Sequence, residues 1–323
     1  MSVLVLRALG IGDLATAVPA LRGLRATRPT EQIVLAAPAW LEPLARLTGA
    51  VDRVLPMDGL DVPRIPVPPP RLAVNLHGRG PLSHRLLAGT RPERMLAFAC
   101  PAADFPDGPQ WTPDEHEVRR WCRMLAGYRI AACPTDLLLH EPAVPPAAGG
   151  VTIVHPGAKD PVRRWPPARF ARLAEVLERS GHRVVVTGSP AERWLAERIA
   201  DLAGLPASRV LAGRTDVGGL AALVAHARLL ISGDTGIAHL ATGYRTPSVL
   251  LFGPTPPAWW GPLIDPELRR VLWHGPLAAP AGPRLPVPRP VRGWRRPHPA
   301  LAAITVDEVL AAVPTHDHAA APQ

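Results

Sequence analysis

The sequence predicts an α/β protein made of two doubly wound domains, and three observations favour this class. Short runs of Val, Ile and Leu alternate with longer amphipathic segments, which is the pattern of βαβ units in a parallel sheet. The pattern occupies both halves of a 323-residue chain, which is longer than one hydrophobic core usually organises. Residues 141–150, EPAVPPAAGG, can continue neither a helix nor a central strand, so we place the domain boundary there.

The first domain, residues 1–146, is predicted to contain five strands and four helices. Each strand is a short apolar run, and each helix carries apolar residues at helical spacing. Residues 62–71, VPRIPVPPPR, form a proline-rich connector. The strands are expected at 3–7, 33–36, 53–55, 72–76 and 94–98, and the helices at 14–26, 40–47, 82–88 and 114–126.

The second domain, residues 147–323, repeats the alternation. Residues 277–299 are rich in Pro and Arg without any period and are expected to be irregular. Thr305 is a candidate N-cap for a final helix over 305–313, and the tail from residue 315 is expected to fray. The strands are expected at 151–154, 183–187, 209–211, 229–231 and 248–252, and the helices at 167–179, 191–202, 217–227 and from residue 235.

Composition narrows the function classes. The net charge of +9 comes almost entirely from Arg, and because these residues are scattered, a solvated surface is favoured over a nucleic-acid interface.

Cys100, Cys122 and Cys133 lack a CxxC spacing, which disfavours a disulfide framework or a zinc site and fits a reducing cytosol. No stretch reaches the roughly 18 apolar residues that a spanning helix needs. We therefore expect a soluble cytoplasmic protein with at most peripheral contact with the inner face of the cell membrane.

Two glycines and a carboxylate follow the first predicted strand in residues 10–13, GIGD. Ligands of open α/β sheets bind at this edge, and glycines allow a close approach of the backbone. Taken alone, Asp13 is more simply explained as a helix-capping residue. The turn is not GxGxxG, which disfavours a dinucleotide-dependent oxidoreductase.

Three cations follow the first strand of the second domain in residues 155–166, HPGAKDPVRRWP. Lys159, which is the single lysine of the chain, could neutralise a diphosphate together with Arg163 and Arg164. A solvated basic loop is the structural alternative. No Walker sequence GxxxxGK[ST] occurs, so a P-loop ATPase is disfavoured.

Small residues expose a helix N-terminus in residues 232–239, SGDTGIAH. Such a terminus binds anions, and Thr235 and His239 share one helix face. Capping by Asp234 and packing by His239 are the alternatives for each residue alone. Together with residues 252–262, FGPTPPAWWGP, the segment favours a ligand site. Trp259 or Trp260 either covers the base of a nucleotide or packs in the protein interior.

These motifs resemble the heptosyltransferase family of bacterial glycosyltransferases, glycosyltransferase family 9, nearly from end to end. The motifs that carry the resemblance are VLVLRALGIGDLATAVPALRGL, VNLHGRGPLSH, VHPGAKDPVRRWP, VVVTGSPAE and, most specifically, ISGDTGIAHLATGYRTPSVLLFGPTPPAWWGP. The resemblance implies a GT-B fold, in which two Rossmann-like domains face a central cleft and the helix over 305–313 returns toward the first domain. It also implies an inverting, metal-independent transfer of a sugar from a nucleoside-diphosphate donor, with ADP-heptose favoured, to a saccharide or other cell-surface or secondary-metabolite acceptor.

The resemblance also assigns roles to individual residues. Asp13 matches the family's proposed general base, which takes the proton of the acceptor hydroxyl. The sequence departs from the family pattern where Arg163 replaces a usual Lys, Ile237 a usual Pro and Asn75 a frequent Asp. The implied donor site consists of Lys159, Arg163, Thr235 and Gly236 for the diphosphate, Asp234 and His239 for the sugar, and Gly188 and Trp259 near the base.

Two other functions fit the same motifs: a catalytically inactive nucleotide-sugar-binding protein, and a sugar-nucleotide epimerase built on the same fold. The presence of Asp13 together with Asp234 favours the transferase. No DxD, HExxH or Cys/His cluster occurs, so neither a metal nor another cofactor is expected beside the donor. The sequence leaves open the donor sugar and base, the acceptor and the oligomeric state.

Overall fold

The computed structural model of the protein describes residues 2–275 and 297–314. The chain divides into two compact units, Met1–Pro142 and Ala143–Gln323, and each is described by itself. The division falls inside the segment 141–150, four residues before the predicted limit at 146. Residues 143–146 therefore group with the second unit.

The first unit contains one parallel sheet with the strands β1 (Ser2–Leu6), β2 (Gln32–Ala37), β3 (Arg53–Pro56), β4 (Leu72–Asn75) and β5 (Arg94–Leu96). The strand order is β3-β2-β1-β4-β5, and Val3 of β1 pairs with Ile33 on one side and Leu72 on the other. The central strands are almost wholly buried, which explains their continuous apolar runs. The chain adds strands to one side of β1 and then to the other, as the doubly wound prediction requires.

The helices of the first unit are α1 (Ile11–Thr16), α2 (Val18–Thr27), α3 (Glu42–Leu47), α4 (Leu82–Ala88) and α5 (Glu117–Ala126). The prediction of one helix over 14–26 is wrong, because α1 and α2 are separate. Pro19 lies in the first turn of α2 and has no amide proton to continue the hydrogen bonds of α1. The break leaves α1 as a short helix that begins directly behind the turn after β1.

The second unit contains a second parallel sheet with the strands β6 (Thr152–His155), β7 (Val184–Val186), β8 (Leu229–Gly233), β9 (Ser248–Leu251) and β10 (Arg269–Leu272), in the order β10-β9-β8-β6-β7. The strand predicted at 209–211 is wrong. Ala207–Arg209 is a 3-10 turn, and Val210 forms only an isolated bridge with Val186. The sequence does not predict β10, because it begins with two arginines. Arg269 is nevertheless buried, and its guanidinium donates to the backbone oxygens of Ala241 and Thr246.

The helices of the second unit are α6 (Pro167–Arg179), α7 (Arg193–Leu202), α8 (Val217–Ala225), α9 (Gly236–Gly243), α10 (Pro257–Trp260), α11 (Pro299–Ala303) and α12 (Val306–Ala311). The predicted cap at Thr305 is confirmed, because its hydroxyl accepts a hydrogen bond from the Glu308 amide at 3.2 Å. Val309 of α12 shares an apolar core with Phe170 of α6. The final helix therefore packs on its own unit, and its return toward the first domain stays a prediction.

Most of the segment 277–299 and the tail from residue 315 lie outside the described residues. The described chain resumes against the second unit, where the His298 amide donates to Val162 O at 2.9 Å and the Trp165 indole donates to Ile304 O at 3.0 Å. None of the helices in the described ranges is long and apolar enough to cross a membrane.

Candidate functional site

Each sheet reverses its strand order at one point, and most of the predicted site residues lie at these points. Ligands of open α/β sheets bind outside the carboxyl ends of the strands at such a reversal. In the first sheet it lies between β1 and β4, and in the second between β6 and β8. The segments that follow these four strands are 7–13, 76–80, 156–166 and 234–239. They contain most of the residues that the sequence selects.

Asp13 is the third residue of α1, and Gly10 is the N-cap. Asp13 Oδ2 accepts a hydrogen bond from the Gly10 amide at 3.2 Å, while Oδ1 lies 3.7 Å from Arg7 Nη2. The Asp13 side chain is 30% exposed. Asp13 thus stabilises the start of the helix as the capping interpretation expects, and its carboxylate stays accessible at the carboxyl edge of the sheet.

Sequence reasoning missed Arg7, which directly follows β1. Its side chain is completely buried, and Nη2 lies 3.2 Å from Glu117 Oε1. The same guanidinium donates to the backbone oxygens of Asp13 and Leu76. Arg7 therefore ties the loop after β1 to the loop after β4. The only signal in the sequence is a single Arg at the end of an apolar run. The same pattern is typical of an Arg at the solvent-exposed end of a strand.

Glu117 compensates the charge of Arg7 inside the first unit. Burial by itself would raise the pKa of Glu117, but the guanidiniums of Arg7 and Arg120 outweigh burial, and the pKa is lowered. The Trp121 indole also donates to this carboxylate at 3.0 Å. The positive charge of Arg7 is matched by a buried carboxylate, so Arg7 holds the loops in place and offers no exposed charge to a ligand.

Asn75 ends β4 and orders the loop behind it. Its amide group donates to Ser83 Oγ and to His84 Nδ1, each at 3.0 Å, and its oxygen accepts from the His77 amide at 3.0 Å. His84 Nε2 lies 2.8 Å from Phe98 O, and because a carbonyl only accepts, Nε2 carries the proton and Nδ1 accepts from Asn75. Burial lowers the pKa of His84, although the hydrogen bond to Phe98 O acts to raise it. Asn thus suits a neutral His84, whereas Asp at this position would face a ring nitrogen without a proton.

In the second unit, the predicted strand-to-helix turn at 232–239 is confirmed. Thr235 is the N-cap residue of the eight-residue helix α9, yet its hydroxyl makes no capping bond. Thr235 Oγ1 is buried and has no hydrogen-bond partner among the described residues. A buried hydroxyl without a partner is costly, and the start of a helix offers amides and the positive end of its dipole. This arrangement suits an anionic ligand that accepts hydrogen bonds from both.

The three cations of the loop after β6 have different surroundings. Arg163 donates to the backbone oxygen of Asp234 at 2.7 Å and to its carboxylate, and its side chain is 35% exposed. Arg164 turns back on its own loop, where it donates twice to Ala158 O, at 3.0 and 2.8 Å. Lys159 is exposed. Arg163 is therefore brought to the start of α9, whereas Arg164 belongs to the framework of the loop.

Gly188 follows β7 and lies beside Glu192. A Cβ atom at Gly188 would lie 3.3 Å from the Glu192 Cβ, and one at Gly157 would lie 2.4 Å from Glu192 Oε2. The Glu192 carboxylate accepts from the amide and hydroxyl of Ser189 at 2.9 and 2.8 Å. The two glycines thus leave room for a carboxylate between the loops after β6 and β7. Sequence reasoning missed Glu192, although the S-x-x-E spacing of a capping box signals it.

Trp259 and Trp260 differ in their surroundings. Trp259 is 9% exposed and packs inside the second unit. Trp260 is half-buried, and its ring lies 5.8 Å from that of His239 in an edge-to-face arrangement. His239 is one helical turn from Thr235 on α9. The indole beside the predicted sugar residue is therefore that of Trp260.

Metal ligands do not gather at either sheet edge. Within the described ranges, no group of three or more His, Cys, Asp or Glu side chains could hold a metal ion. Arg163 is the positive side chain that the structure places at the start of α9, and Lys159 on the same loop is exposed.

Solved structures share this architecture. The chain is similar to E. coli ADP-heptose lps heptosyltransferase II, with a TM-score of 0.71, 22% identity and 97% of each chain covered. It is also similar to E. coli heptosyltransferase WaaC with ADP-2-deoxy-2-fluoro heptose, with a TM-score of 0.61, 18% identity, and coverage of 84% of this chain and 92% of that one. The fold is the GT-B fold of glycosyltransferases, as predicted.

The family follows from a sequence match. The model of glycosyltransferase family 9 (heptosyltransferase) matches residues 112–273, half of the chain, and the chain belongs to this family. It is 36% identical over 114 residues to lipooligosaccharide heptosyltransferase 2 of Haemophilus ducreyi, with 33% of each sequence covered. It is 38% identical over 117 residues to lipopolysaccharide heptosyltransferase 1 of Pseudomonas aeruginosa, covering 36% of this chain and 32% of the relative. The alignments span about a third of the length of these relatives.

Proposed function

We propose that the chain is an inverting glycosyltransferase that moves a heptose from ADP-heptose to a saccharide acceptor. The observation that carries the proposal is the buried hydroxyl of Thr235 at the start of α9, which has no hydrogen-bond partner among the described residues, while Arg163 is hydrogen-bonded to the adjacent Asp234. A diphosphate fits such a site, because its oxygens accept hydrogen bonds and its charge is stabilised by the guanidinium and the helix dipole. Family membership and the heptosyltransferase names of the relatives support the choice of sugar.

Donor binding would rearrange the Arg163–Asp234 pair. A phosphate oxygen can take part of the Arg163 guanidinium, which leaves the Asp234 carboxylate to accept hydrogen bonds from sugar hydroxyls. His239 lies one turn further along α9 and would meet the sugar or its neighbouring phosphate. Lys159 and the amides near Thr235 and Gly236 would complete the diphosphate site, and the base would lie in the vicinity of Gly188 and Trp259.

The reaction is proposed as a direct displacement. The acceptor hydroxyl oxygen forms a bond to the anomeric carbon, the bond from that carbon to the diphosphate oxygen breaks, and the configuration inverts. Asp13 accepts the hydroxyl proton, and the electron pair of the broken bond leaves with the nucleoside diphosphate. A carboxylate with a reference pKa of about 3.9 is a weak base toward an alcohol, so proton transfer occurs late, when the attacking oxygen has become acidic. The departing charge would be stabilised by Arg163, Lys159 and the start of α9.

A donor panel tests the proposal. ADP-heptose, GDP-, UDP- and dTDP-sugars are offered with heptose-free lipopolysaccharide and its delipidated saccharide, and products are analysed by mass spectrometry and by NMR of the new anomeric centre. We expect an inverted glycoside from ADP-heptose, both with and without a chelator. Binding of the donor without transfer or hydrolysis would identify an inactive binding protein, and a changed nucleotide sugar without acceptor use would identify an epimerase.

The place of the reaction is also proposed. We expect transfer on the cytoplasmic side, with the protein at most in peripheral contact with the membrane. Co-sedimentation with vesicles containing lipopolysaccharide, compared with vesicles lacking it, measures that contact.

A further inference from the structure

His77 lies at the carboxyl edge of the first sheet and has no role in the reaction proposed above. It follows Leu76, whose backbone oxygen is held by the same Arg7 guanidinium that holds the backbone oxygen of Asp13. The His77 amide is fixed by Asn75 Oδ1 at 3.0 Å. The loop after β4 is thus anchored on both sides of Leu76, and it presents His77 next to the segment that contains Asp13.

The two ring nitrogens of His77 have different surroundings. Nδ1 is buried and has no hydrogen-bond partner within the described part of the chain. The ring as a whole is only partly buried, and Nε2 lies on its open side. A buried N–H without a partner is rarer in proteins than a buried acceptor without one, so the favoured tautomer leaves Nδ1 unprotonated and places the proton on Nε2.

The charge state of the ring is consistent with this tautomer. Burial and the nearby Arg7 guanidinium lower the pKa of His77 to about 4, against the opposing effect of the Asp13 carboxylate. The imidazole is therefore neutral at physiological pH. A neutral ring with an outward Nε2–H is a hydrogen-bond donor that cannot accept from the same atom.

We propose that His77 is an acceptor-binding residue, whose Nε2–H donates a hydrogen bond to a sugar oxygen adjacent to the hydroxyl that Asp13 deprotonates. The inference rests on the proposed function, because it assumes that the first unit binds a saccharide. Asp13 offers an acceptor and His77 a donor from neighbouring loops, and neighbouring hydroxyls of a pyranose can satisfy both. Such a pair would orient the nucleophile while leaving its lone pair available for attack.

The test compares transfer with hydrolysis. Water can replace the saccharide as the nucleophile and needs the base Asp13, but it has no second hydroxyl for His77 to hold. In His77→Ala, kcat/KM for heptose-free lipopolysaccharide should fall about tenfold, the value of one neutral hydrogen bond, while ADP-heptose hydrolysis and the donor Kd stay unchanged. His77→Gln, which retains an N–H donor, should recover part of the loss. His140→Gln is the matched control, because His140 contacts Leu47 at the opposite edge of the sheet and is exposed.

Two results would overturn the inference. One is an equal loss of hydrolysis and transfer in His77→Ala, which would make His77 a structural residue. The other is a ring NMR spectrum of the wild-type protein that shows Nδ1 protonated, and this measurement does not depend on activity. If the wild-type protein neither transfers nor hydrolyses any donor, the proposed function fails, and the NMR result still decides the tautomer.

Discussion

The carboxyl edges of the two sheets each contain an arginine, but the two arginines have different surroundings. At the first edge, Arg7 is completely buried, is matched by Glu117 and holds two loops by their backbone oxygens. At the second edge, Arg163 is 35% exposed and lies beside a helix start whose Thr235 hydroxyl has no hydrogen-bond partner in the described ranges. A buried, compensated cation fixes geometry, whereas an exposed cation beside a helix N-terminus binds an anion. The difference indicates that the first edge is built for positioning and the second for charge.

Removing each arginine should therefore lower the stability by different amounts. In Arg7→Met, Glu117 loses one of its two guanidinium partners inside the fold, and we expect the free energy of unfolding to fall by about 3–5 kcal/mol. Arg163→Met is the comparison variant, because Arg163 is 35% exposed although its partner Asp234 is buried, and we expect a smaller loss of about 1–3 kcal/mol. Chemical denaturation of the two variants measures the contrast. Equal losses would contradict the assignment of Arg7 as an internal anchor.

When donor binding is measured instead of stability, Arg163→Met should be the variant with the larger loss. Arg163→Met removes a charge-assisted hydrogen bond to phosphate, so the Kd for ADP should rise roughly 10- to 100-fold, corresponding to about 1.5–3 kcal/mol. Arg163→Lys, which restores the residue usual in the family, should retain most of the affinity and show the same salt dependence. Isothermal titration with ADP at two ionic strengths provides the measurement. Unchanged binding in Arg163→Met would remove this residue from the donor site.

A smaller effect is expected from the Thr235 hydroxyl. Thr235→Val keeps the shape of the side chain and removes a buried hydroxyl that no described residue hydrogen-bonds. Stability should therefore be unchanged or slightly higher, while the Kd for ADP rises about threefold to tenfold. Thr242→Val is the control on the same helix, since Thr242 Oγ1 donates to Ala238 O at 3.2 Å. That variant should lose stability and keep its affinity. The reverse pattern would show that Thr235 is a structural residue.

The smallest effect concerns pH. Burial is the main cause of the lowered pKa of His77, to about 4, and also of the lowered pKa of His155, where the Glu192 carboxylate opposes it. As the pH falls below about 6.5, these histidines take up protons in the unfolded chain but not in the folded one, so stability decreases toward pH 4. Thermal melts between pH 7 and pH 4 should show a shallower decline in His77→Gln than in the wild type. An identical decline would contradict the buried neutral state of His77.

The segments at the carboxyl edges of the sheets can be predicted from the sequence, because strand ends and turns are signalled by residues close together in the chain. The turn at 232–239 and the N-cap at Thr305 depend on residues a few positions apart, and both occur as expected. Arg7 could not be assigned in this way, because its partner Glu117 is 110 positions away and nothing in the sequence near Arg7 reveals it. The same holds for β10, because the guanidinium of its first arginine donates to backbone oxygens 23 and 28 positions earlier in the chain.

His77 illustrates a further limit. Its segment, VNLHGRG, is visible as a motif, but the protonation of His77 depends on burial and on the charges of Arg7 and Asp13, which lie in the segment after β1. The choice between Trp259 and Trp260 likewise depends on the start and phase of the short helix α10, which decides which ring reaches His239. The sequence pattern therefore predicts where a site lies, whereas tertiary packing determines the protonation and the contacts of each side chain in it.

The division of roles between the two edges is the central claim, and Asp13→Asn tests it most directly. The variant keeps the shape of the side chain and removes its capacity as a base, so heptose transfer should fall by about 10²- to 10⁴-fold. Because Asp13 belongs to the first edge, the Kd for ADP-heptose, measured by titration calorimetry on the same sample, should equal that of the wild type. A weakened Kd comparable to that of Arg163→Met, or transfer at the wild-type rate, would contradict the account.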